Sequence, residues 1–145
     1  MIYFDYSATT PIDPRVLELM TEVHANAIGN PSSVHRFGQK ARSTVERARR
    51  QISSAVGCDP TEIIFTGSGS EANNLVLRNL LYGKKQHVVL SSIEHPSIYN
   101  TVKELEPLGI TNTVVDVDGE GRVNSDEVLN AIQEETGLVS IMMVN

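Results

Sequence analysis

The chain has 145 residues, of which 40% are apolar and 21% charged, and this composition excludes a disordered chain, a collagen and a coiled coil. The length fits one ordinary domain, which can bury about two thirds of the surface of its unfolded chain. No apolar run approaches the roughly 18 residues of a membrane span, and the N-terminus lacks the basic start of a signal peptide. We therefore expect a globular cytoplasmic protein with no membrane partner.

The charge balance bears on the partners of the protein. Twelve basic and eighteen acidic side chains give a net charge of −6, which argues against nucleic acid as a partner. The basic cluster of Arg42, Arg47, Arg49 and Arg50 is most typical of a solvated helix face. The single cysteine, Cys58, allows no internal disulfide, and such a lone thiol is more often structural than catalytic.

Residues 1–60 are predicted to form an N-terminal helical segment. Asp13 and Pro14 are typical of a helix start, and Gly29 is typical of a helix end. A longer helix is predicted to end at Gly57, because apolar residues before it recur at three- and four-residue steps. This apolar stripe consists of Phe37, Ala41, Val45, Ala48, Ile52 and Val56.

Residues 61–145 follow a shorter rhythm, typical of strands that alternate with helices. Strands are predicted over 62–65, 87–91, 113–117 and 138–144, and helices over 71–81, 97–105 and 124–132. The first of these helices is expected to turn Leu75, Val76 and Leu80 inward. The alternation predicts an α/β fold, a mostly parallel sheet with flanking helices, preceded by the N-terminal helices.

The last predicted strand, 138–144, is the most apolar, and the sequence stops directly after it. Such a strand is typical of the centre of a sheet, where it has neighbours on both sides. An unpaired apolar edge would promote aggregation. We therefore expect residues 61–145 to be the first part of an α/β domain that is truncated at the C-terminus.

The glycine-rich turn over residues 66–70 is the most informative stretch for chemistry. A small-residue turn between a strand and a helix presents free backbone N–H groups and the positive end of the helix dipole, which favours phosphate. A P-loop is excluded because no Gly-Lys-Ser/Thr opens the helix. Two interpretations remain: a dinucleotide site, with Gly67-x-Gly69-x-x-Ala72 and Glu94 as the ribose-binding acid, or a site for the single phosphate of pyridoxal phosphate.

Five stretches, in order along the whole chain, resemble the N-terminal portion of the cysteine desulfurases, which are pyridoxal-phosphate enzymes of the class V aminotransferase family. The stretches are YFDYSATTP at 3–11, GNPSS with HRFG at 29–38, IFTGSGSEANN at 64–74, SIEH at 92–95 and VSIMMVN at 139–145. The resemblance implies an incomplete large domain of the pyridoxal-phosphate-dependent transferase fold type I. It also implies a transferase that converts L-cysteine to L-alanine and passes sulfur on for iron–sulfur cluster or thiolated-cofactor synthesis.

The same resemblance implies roles for three residues. Gly69 and Ser70 would bind the phosphate of pyridoxal 5'-phosphate, although many members of the family carry Ala-Thr at these two positions. His95 would stack on the pyridine ring and relay protons, which makes it both cofactor-binding and catalytic. No metal site is expected, because the histidines and Cys58 lack the spacing of zinc ligands. The family forms homodimers and delivers sulfur to acceptor or cluster-scaffold proteins.

The resemblance also implies that essential groups lie downstream of residue 145. These are the lysine that forms a Schiff base with the cofactor, the acid that pairs with the pyridine nitrogen and the nucleophilic cysteine. None of the lysines present, Lys40, Lys84, Lys85 and Lys103, lies in the matching motif, and Cys58 occupies a turn. We therefore expect the isolated chain to be inactive. Two alternatives stay open: an NAD-type dinucleotide-binding half, and a non-catalytic remnant that only dimerises or binds a partner.

Overall fold

The computed structural model describes residues 2–6, 8–26 and 28–144. The chain divides into two compact units, with the boundary between Ile64 and Phe65. The N-terminal unit is helical, and the C-terminal unit contains the sheet. Among the described residues, no helix combines the length and the apolar character that crossing a membrane requires.

The N-terminal unit contains α1 (Pro14–Asn26) and α2 (Arg36–Val56). As predicted, Asp13 caps α1, because its Oδ1 atom accepts a hydrogen bond from the Arg15 amide at 2.8 Å. The side chain of Arg15 also bonds to Asp13, and these contacts lower the pKa of the Asp13 carboxyl. Gly57 ends α2 in the left-handed conformation, with φ of 75°, which also agrees with the sequence.

The apolar stripe of α2 is only partly buried. Ala41 is buried, but Phe37, Ile52 and Val56 are exposed. Another residue that the periodicity does not single out, Ser53, is buried instead, and its hydroxyl donates to the Arg50 carbonyl. Helical periodicity therefore gave the correct element, but not the side chains that are buried in it.

The strand predicted over 62–65 is wrong, because Pro60–Glu62 forms a 3-10 turn. The Asp59 side chain accepts a hydrogen bond from the Thr61 amide at 2.8 Å, and Glu62 accepts one from the Asp59 amide at 2.7 Å. This reciprocal capping fixes a turn where the apolar residues that follow suggest extended pairing. Ile63 then donates its amide to the Pro60 carbonyl rather than to a neighbouring strand.

The C-terminal unit contains three parallel strands in the order β2-β1-β3. They are β1 (His87–Ser91), β2 (Thr111–Val115) and β3 (Thr136–Ser140). The helices are α3 (Gly69–Asn79), α4 (Pro96–Leu105) and α5 (Ser125–Ala131). The fold is therefore the predicted α/β class with a parallel sheet, and β1 lies at its centre.

Two of the predicted strands begin two residues too late, and the last of them also ends four residues too late. The polar residues Thr111 and Asn112 pair with His87 and Val88 of β1, although an apolar criterion excludes them from a strand. At the other end, Val117 leaves the sheet and forms an isolated antiparallel bridge with Val123. The third strand likewise ends at Ser140, before the apolar residues that follow it.

The core of the C-terminal unit lies where α3 and α4 pack together beside β1. All five residues of β1 are buried, as a central strand of a covered sheet requires. Leu77 of α3 is fully buried and Leu80, directly after α3, is buried as well, whereas Leu75 and Val76 are about half exposed. The expectation for Leu75 and Val76 is therefore wrong. The buried cluster consists of Leu77, Leu80, Val88, Leu90, Ile98, Val102, Leu105 and Ile110.

Candidate functional site

The glycine-rich turn leads directly into α3. Ser68 is the N-cap residue, and its Oγ atom accepts a hydrogen bond from the Glu71 amide at 3.1 Å. The Ser68 carbonyl accepts bonds from the Ala72 amide at 3.1 Å and from the Thr66 hydroxyl at 3.0 Å. The turn is held by side chains of its own sequence, because Ser and Thr hydroxyls satisfy backbone groups that a helix start leaves free.

Gly69 and Ser70 are the first two residues of α3, and their amides have no acceptor within the helix. Both residues are exposed, and an added Cβ at Gly69 would meet no atom within 4 Å. The Ser70 hydroxyl adds a third donor next to these amides. Together with the positive end of the α3 dipole, this donor set is suited to an anion such as a phosphate.

His95 occupies the equivalent position before α4, where it is the N-cap residue. Its Nδ1 atom accepts a hydrogen bond from the Ser97 amide at 3.1 Å and lies 2.8 Å from the Ser97 hydroxyl oxygen. Because an amide can only donate, Nδ1 carries no proton in this arrangement and the ring proton lies on Nε2. His95 is exposed, so Nε2 is accessible.

A chain of hydrogen bonds connects the second turn of α3 with the start of α4. The Asn73 side-chain amide donates to the Ser97 hydroxyl at 2.9 Å, and this hydroxyl contacts His95. Asn73 lies three residues after Ser70, which places both on the same face of α3. The structure therefore joins α3 to the His95 cap through Asn73 and Ser97, on the helix face that also carries Ser70.

Asn73 and Ser97 are functional candidates that the sequence reasoning missed. The sequence assigns no role to Asn73, in the stretch at 64–74, or to Ser97, at a predicted helix start. Nothing in the sequence indicates that Asn73, which lies 24 residues earlier, would reach Ser97.

Glu94 does not act as a ribose-binding acid in this structure. Its Oε1 atom accepts bonds from the Ser91 hydroxyl at 2.8 Å and from the Met142 amide at 2.7 Å, and Oε2 accepts one from Ser140 at 3.2 Å. The carboxylate thus joins the ends of β1 and β3. With its oxygens engaged inside the protein, Glu94 does not support the dinucleotide interpretation.

The remaining candidate groups of the sequence have other hydrogen-bond partners or other places in the fold, described for each unit by itself. In the N-terminal unit, the His35 Nδ1 atom accepts from the Gly38 amide at the start of α2, and Cys58 is a free, half-buried thiol. In the C-terminal unit, His87 is buried between Thr113 and Thr136, at 3.0 and 2.8 Å. His24 lies in the last turn of α1.

Comparison with known proteins identifies the family and the fold of the chain. Residues 2–145 match the family model described as aminotransferase class-V. The chain is 43% identical to a "NifS/IcsS protein homolog" of Lactobacillus delbrueckii subsp. bulgaricus, with 100% of this chain and 38% of that protein covered. It is also 43% identical to a mitosomal cysteine desulfurase of Encephalitozoon cuniculi, with 99% of this chain and 35% of that protein covered.

A solved structure described as "SspA in complex with cysteine" has the same fold, with a TM-score of 0.91 at 37% identity. The match covers 99% of this chain and 42% of that one. The chain therefore spans well under half the length of the proteins that it resembles. The comparisons give no support to a dinucleotide-binding protein.

Proposed function

Because the chain belongs to the aminotransferase class-V family, we propose that it is the N-terminal portion of a cysteine desulfurase. The whole protein converts L-cysteine to L-alanine and passes the sulfur, held as a persulfide, to an acceptor or cluster-scaffold protein. A homodimer and a cytoplasmic location belong to the same proposal. The expected kinship with cysteine desulfurases is confirmed, as is the fold class, an incomplete large domain of the type I transferases.

The observation that supports this proposal most strongly is the hydrogen-bonded cluster of Asn73, Ser97 and His95, which joins α3 to the start of α4. Pyridoxal 5'-phosphate fits the chemistry of this cluster. The amides of Gly69 and Ser70 and the Ser70 hydroxyl are donors suited to its phosphate, and the His95 imidazole offers a flat face for its ring. When bound, the cofactor withdraws electrons from the bonds of an attached amino acid.

His95 is the proposed proton-carrying group. Its Nδ1 atom is occupied by the Ser97 amide, so any proton that His95 gives or takes is exchanged at Nε2. Asn73 and Ser97 orient the ring by holding one side of it. Orientation of this kind is how a neighbouring group fixes the tautomer of a functional histidine.

The isolated chain is proposed to be inactive, because the family's Schiff-base lysine and persulfide-forming cysteine have no counterpart among its residues. Its lysines are Lys40, Lys84, Lys85 and Lys103, and its cysteine is Cys58, all outside the matching motifs. Cofactor binding by this chain alone is accordingly expected to be weak and non-covalent.

A titration followed by amide NMR tests the proposed site. Pyridoxine 5'-phosphate, pyridoxine and NAD are the probes, because the first two lack the aldehyde that reacts with any exposed lysine. We expect pyridoxine 5'-phosphate to shift the amides of Gly69 and Ser70 and the ring signals of His95, with pyridoxine weaker and NAD without effect at these positions. A preference for NAD, or shifts confined to other residues, would contradict the proposal.

A further inference from the structure

Glu71 places an internal anion at the glycine-rich turn. Its Oε2 atom accepts a hydrogen bond from the Gly67 amide at 2.6 Å, and its own amide donates to Ser68 at 3.1 Å. The two bonds resemble a capping box, in which the carboxylate would bond to the amide of the N-cap residue. Here it bonds instead to the amide of Gly67, the residue before the N-cap. The turn that is proposed to bind phosphate therefore already holds a carboxylate on one of its N–H groups.

The charge of Glu71 is not offset within α3. Glu71 is the acidic residue of the first turn, whereas the basic residue, Arg78, lies in the last turn. Arg78 is also engaged there, with the Glu104 carboxylate at 2.7 Å. A phosphate bound at Gly69 and Ser70 would lie within one turn of the Glu71 carboxylate, and two like charges at this separation repel each other.

We propose that Glu71 lowers the affinity of this turn for phosphate through its charge, while its hydrogen bond keeps the turn in shape. Gly67 is exposed and has no side chain to fix its conformation, so the bond to Glu71 restrains it. The charge of Glu71 lowers the affinity for phosphate, whereas its hydrogen bond raises that affinity by restraining the turn. A substitution that removes only the charge measures the two effects separately. The inference rests on the proposed phosphate site, and it makes Glu71 the residue that sets how tightly that site binds.

Glu71→Gln and Glu71→Ala separate charge from hydrogen bonding. Glutamine keeps an acceptor for the Gly67 amide but removes the charge, whereas alanine removes both. Glu134→Gln is the matched control, because Glu134 is exposed in the same unit and its loss changes the net charge equally. The dissociation constants of pyridoxine 5'-phosphate and pyridoxine are measured for each chain by the NMR titration described above.

We expect Glu71→Gln to bind pyridoxine 5'-phosphate about three- to tenfold more tightly than the unmodified chain, with pyridoxine unchanged. The gain should shrink at high salt, because the repulsion between exposed charges is screened. Glu71→Ala should gain less than Glu71→Gln, because its turn is no longer restrained. Glu134→Gln should stay within about twofold of the unmodified chain, since Glu134 precedes the start of β3, whereas His95 follows the opposite end of the parallel strand β1.

The outcomes distinguish this inference from the function on which it rests. If the unmodified chain prefers pyridoxine 5'-phosphate to pyridoxine but Glu71→Gln does not bind it more tightly, the role of Glu71 is wrong and the site stands. If Glu134→Gln gains as much as Glu71→Gln, only the net charge matters and the inference is again overturned. If none of the chains prefers the phosphate form, the proposed site and the role of Glu71 fail together.

Discussion

At the scale of single residues, the site depends on donors that are left over from helix capping. The Ser68 side chain accepts a hydrogen bond from the Glu71 amide, and its carbonyl accepts one from the Ala72 amide. The amides of Gly69 and Ser70 are left available to bind an anion. His95 caps α4 with one ring nitrogen and thereby presents the other. The same local rule, that a helix start needs acceptors, thus shapes both halves of the cluster.

Ser70→Ala should weaken the binding of pyridoxine 5'-phosphate about three- to tenfold, because one hydrogen bond to the phosphate is lost. Binding of pyridoxine should not change, because it has no phosphate. The dissociation constants are compared by the same NMR titration. Ser125→Ala is the control, since Ser125 also lies in the first turn of a helix, α5. If Ser70→Ala weakened the binding of pyridoxine and of pyridoxine 5'-phosphate equally, the proposed bond of Ser70 to the phosphate would be wrong.

His95→Ala should lower the free energy of unfolding by about 1 kcal/mol, because α4 loses its N-cap acceptor. His95→Asn should restore this stability, because asparagine is among the best N-cap residues. Urea denaturation measures both. Both variants should lose the NMR shift at position 95 on addition of pyridoxine 5'-phosphate. His95→Asn should therefore keep the stability of the unmodified chain but not its ligand contact. If His95→Asn were as unstable as His95→Ala, the capping role would be wrong.

At the scale of elements, the sequence predicted helices better than strands. The boundaries of α2 and α4 were predicted to within one or two residues, because capping residues and apolar periodicity mark them locally. Strand β2 begins with polar residues that pair with β1, and the residues before α3 form a capped turn instead of a strand. Pairing is a property of two segments, so the composition of one segment does not determine it.

The start of α2 depends on close contact with the loop before it. A Cβ added at Gly38 would lie 2.7 Å from the Asn30 carbonyl oxygen and would also clash with the Ser33 carbonyl. We expect Gly38→Ala to lower the free energy of unfolding of the N-terminal unit by about 1–3 kcal/mol. Gly69→Ala is the control, because a Cβ there meets no atom within 4 Å. The two variants are compared by denaturation, monitored through the NMR signals of α2. Equal stability of both variants would contradict the close contact of Gly38 with the loop before α2.

The candidate site could be predicted in part. Gly69, Ser70 and His95 follow from motif resemblance, and the turn chemistry independently indicates an anion site. The bond between Asn73 and Ser97 joins residues 24 positions apart, and the contacts of Glu94 with Ser140 and Met142 span 46 and 48 positions. Such contacts depend on how α3, α4 and the sheet pack, and a single sequence contains no local pattern for them.

At the scale of the whole molecule, this chain holds one part of a proposed active site. It covers 38% of one relative and 35% of another, yet it matches the family model from residue 2 to residue 145. The part in hand supplies the proposed phosphate donors and the proposed stacking histidine. The proposed lysine and cysteine belong to the part of the family's chains that this chain does not cover. For this reason we expect no activity from this chain by itself, although it belongs to the family.

This chain is proposed to bind pyridoxal 5'-phosphate through Gly69, Ser70 and His95 and to lack the groups that complete the reaction. The most direct test incubates the chain with the cofactor and L-cysteine, reduces one portion with borohydride for mass analysis, and assays alanine and sulfide in another. Amide NMR spectra of the chain with the cofactor alone should show shifts at those three residues. The mixture with L-cysteine should give no stoichiometric adduct on any one lysine and no product above the level given by free cofactor. A borohydride-fixed adduct on a single lysine together with sulfide release would contradict the account.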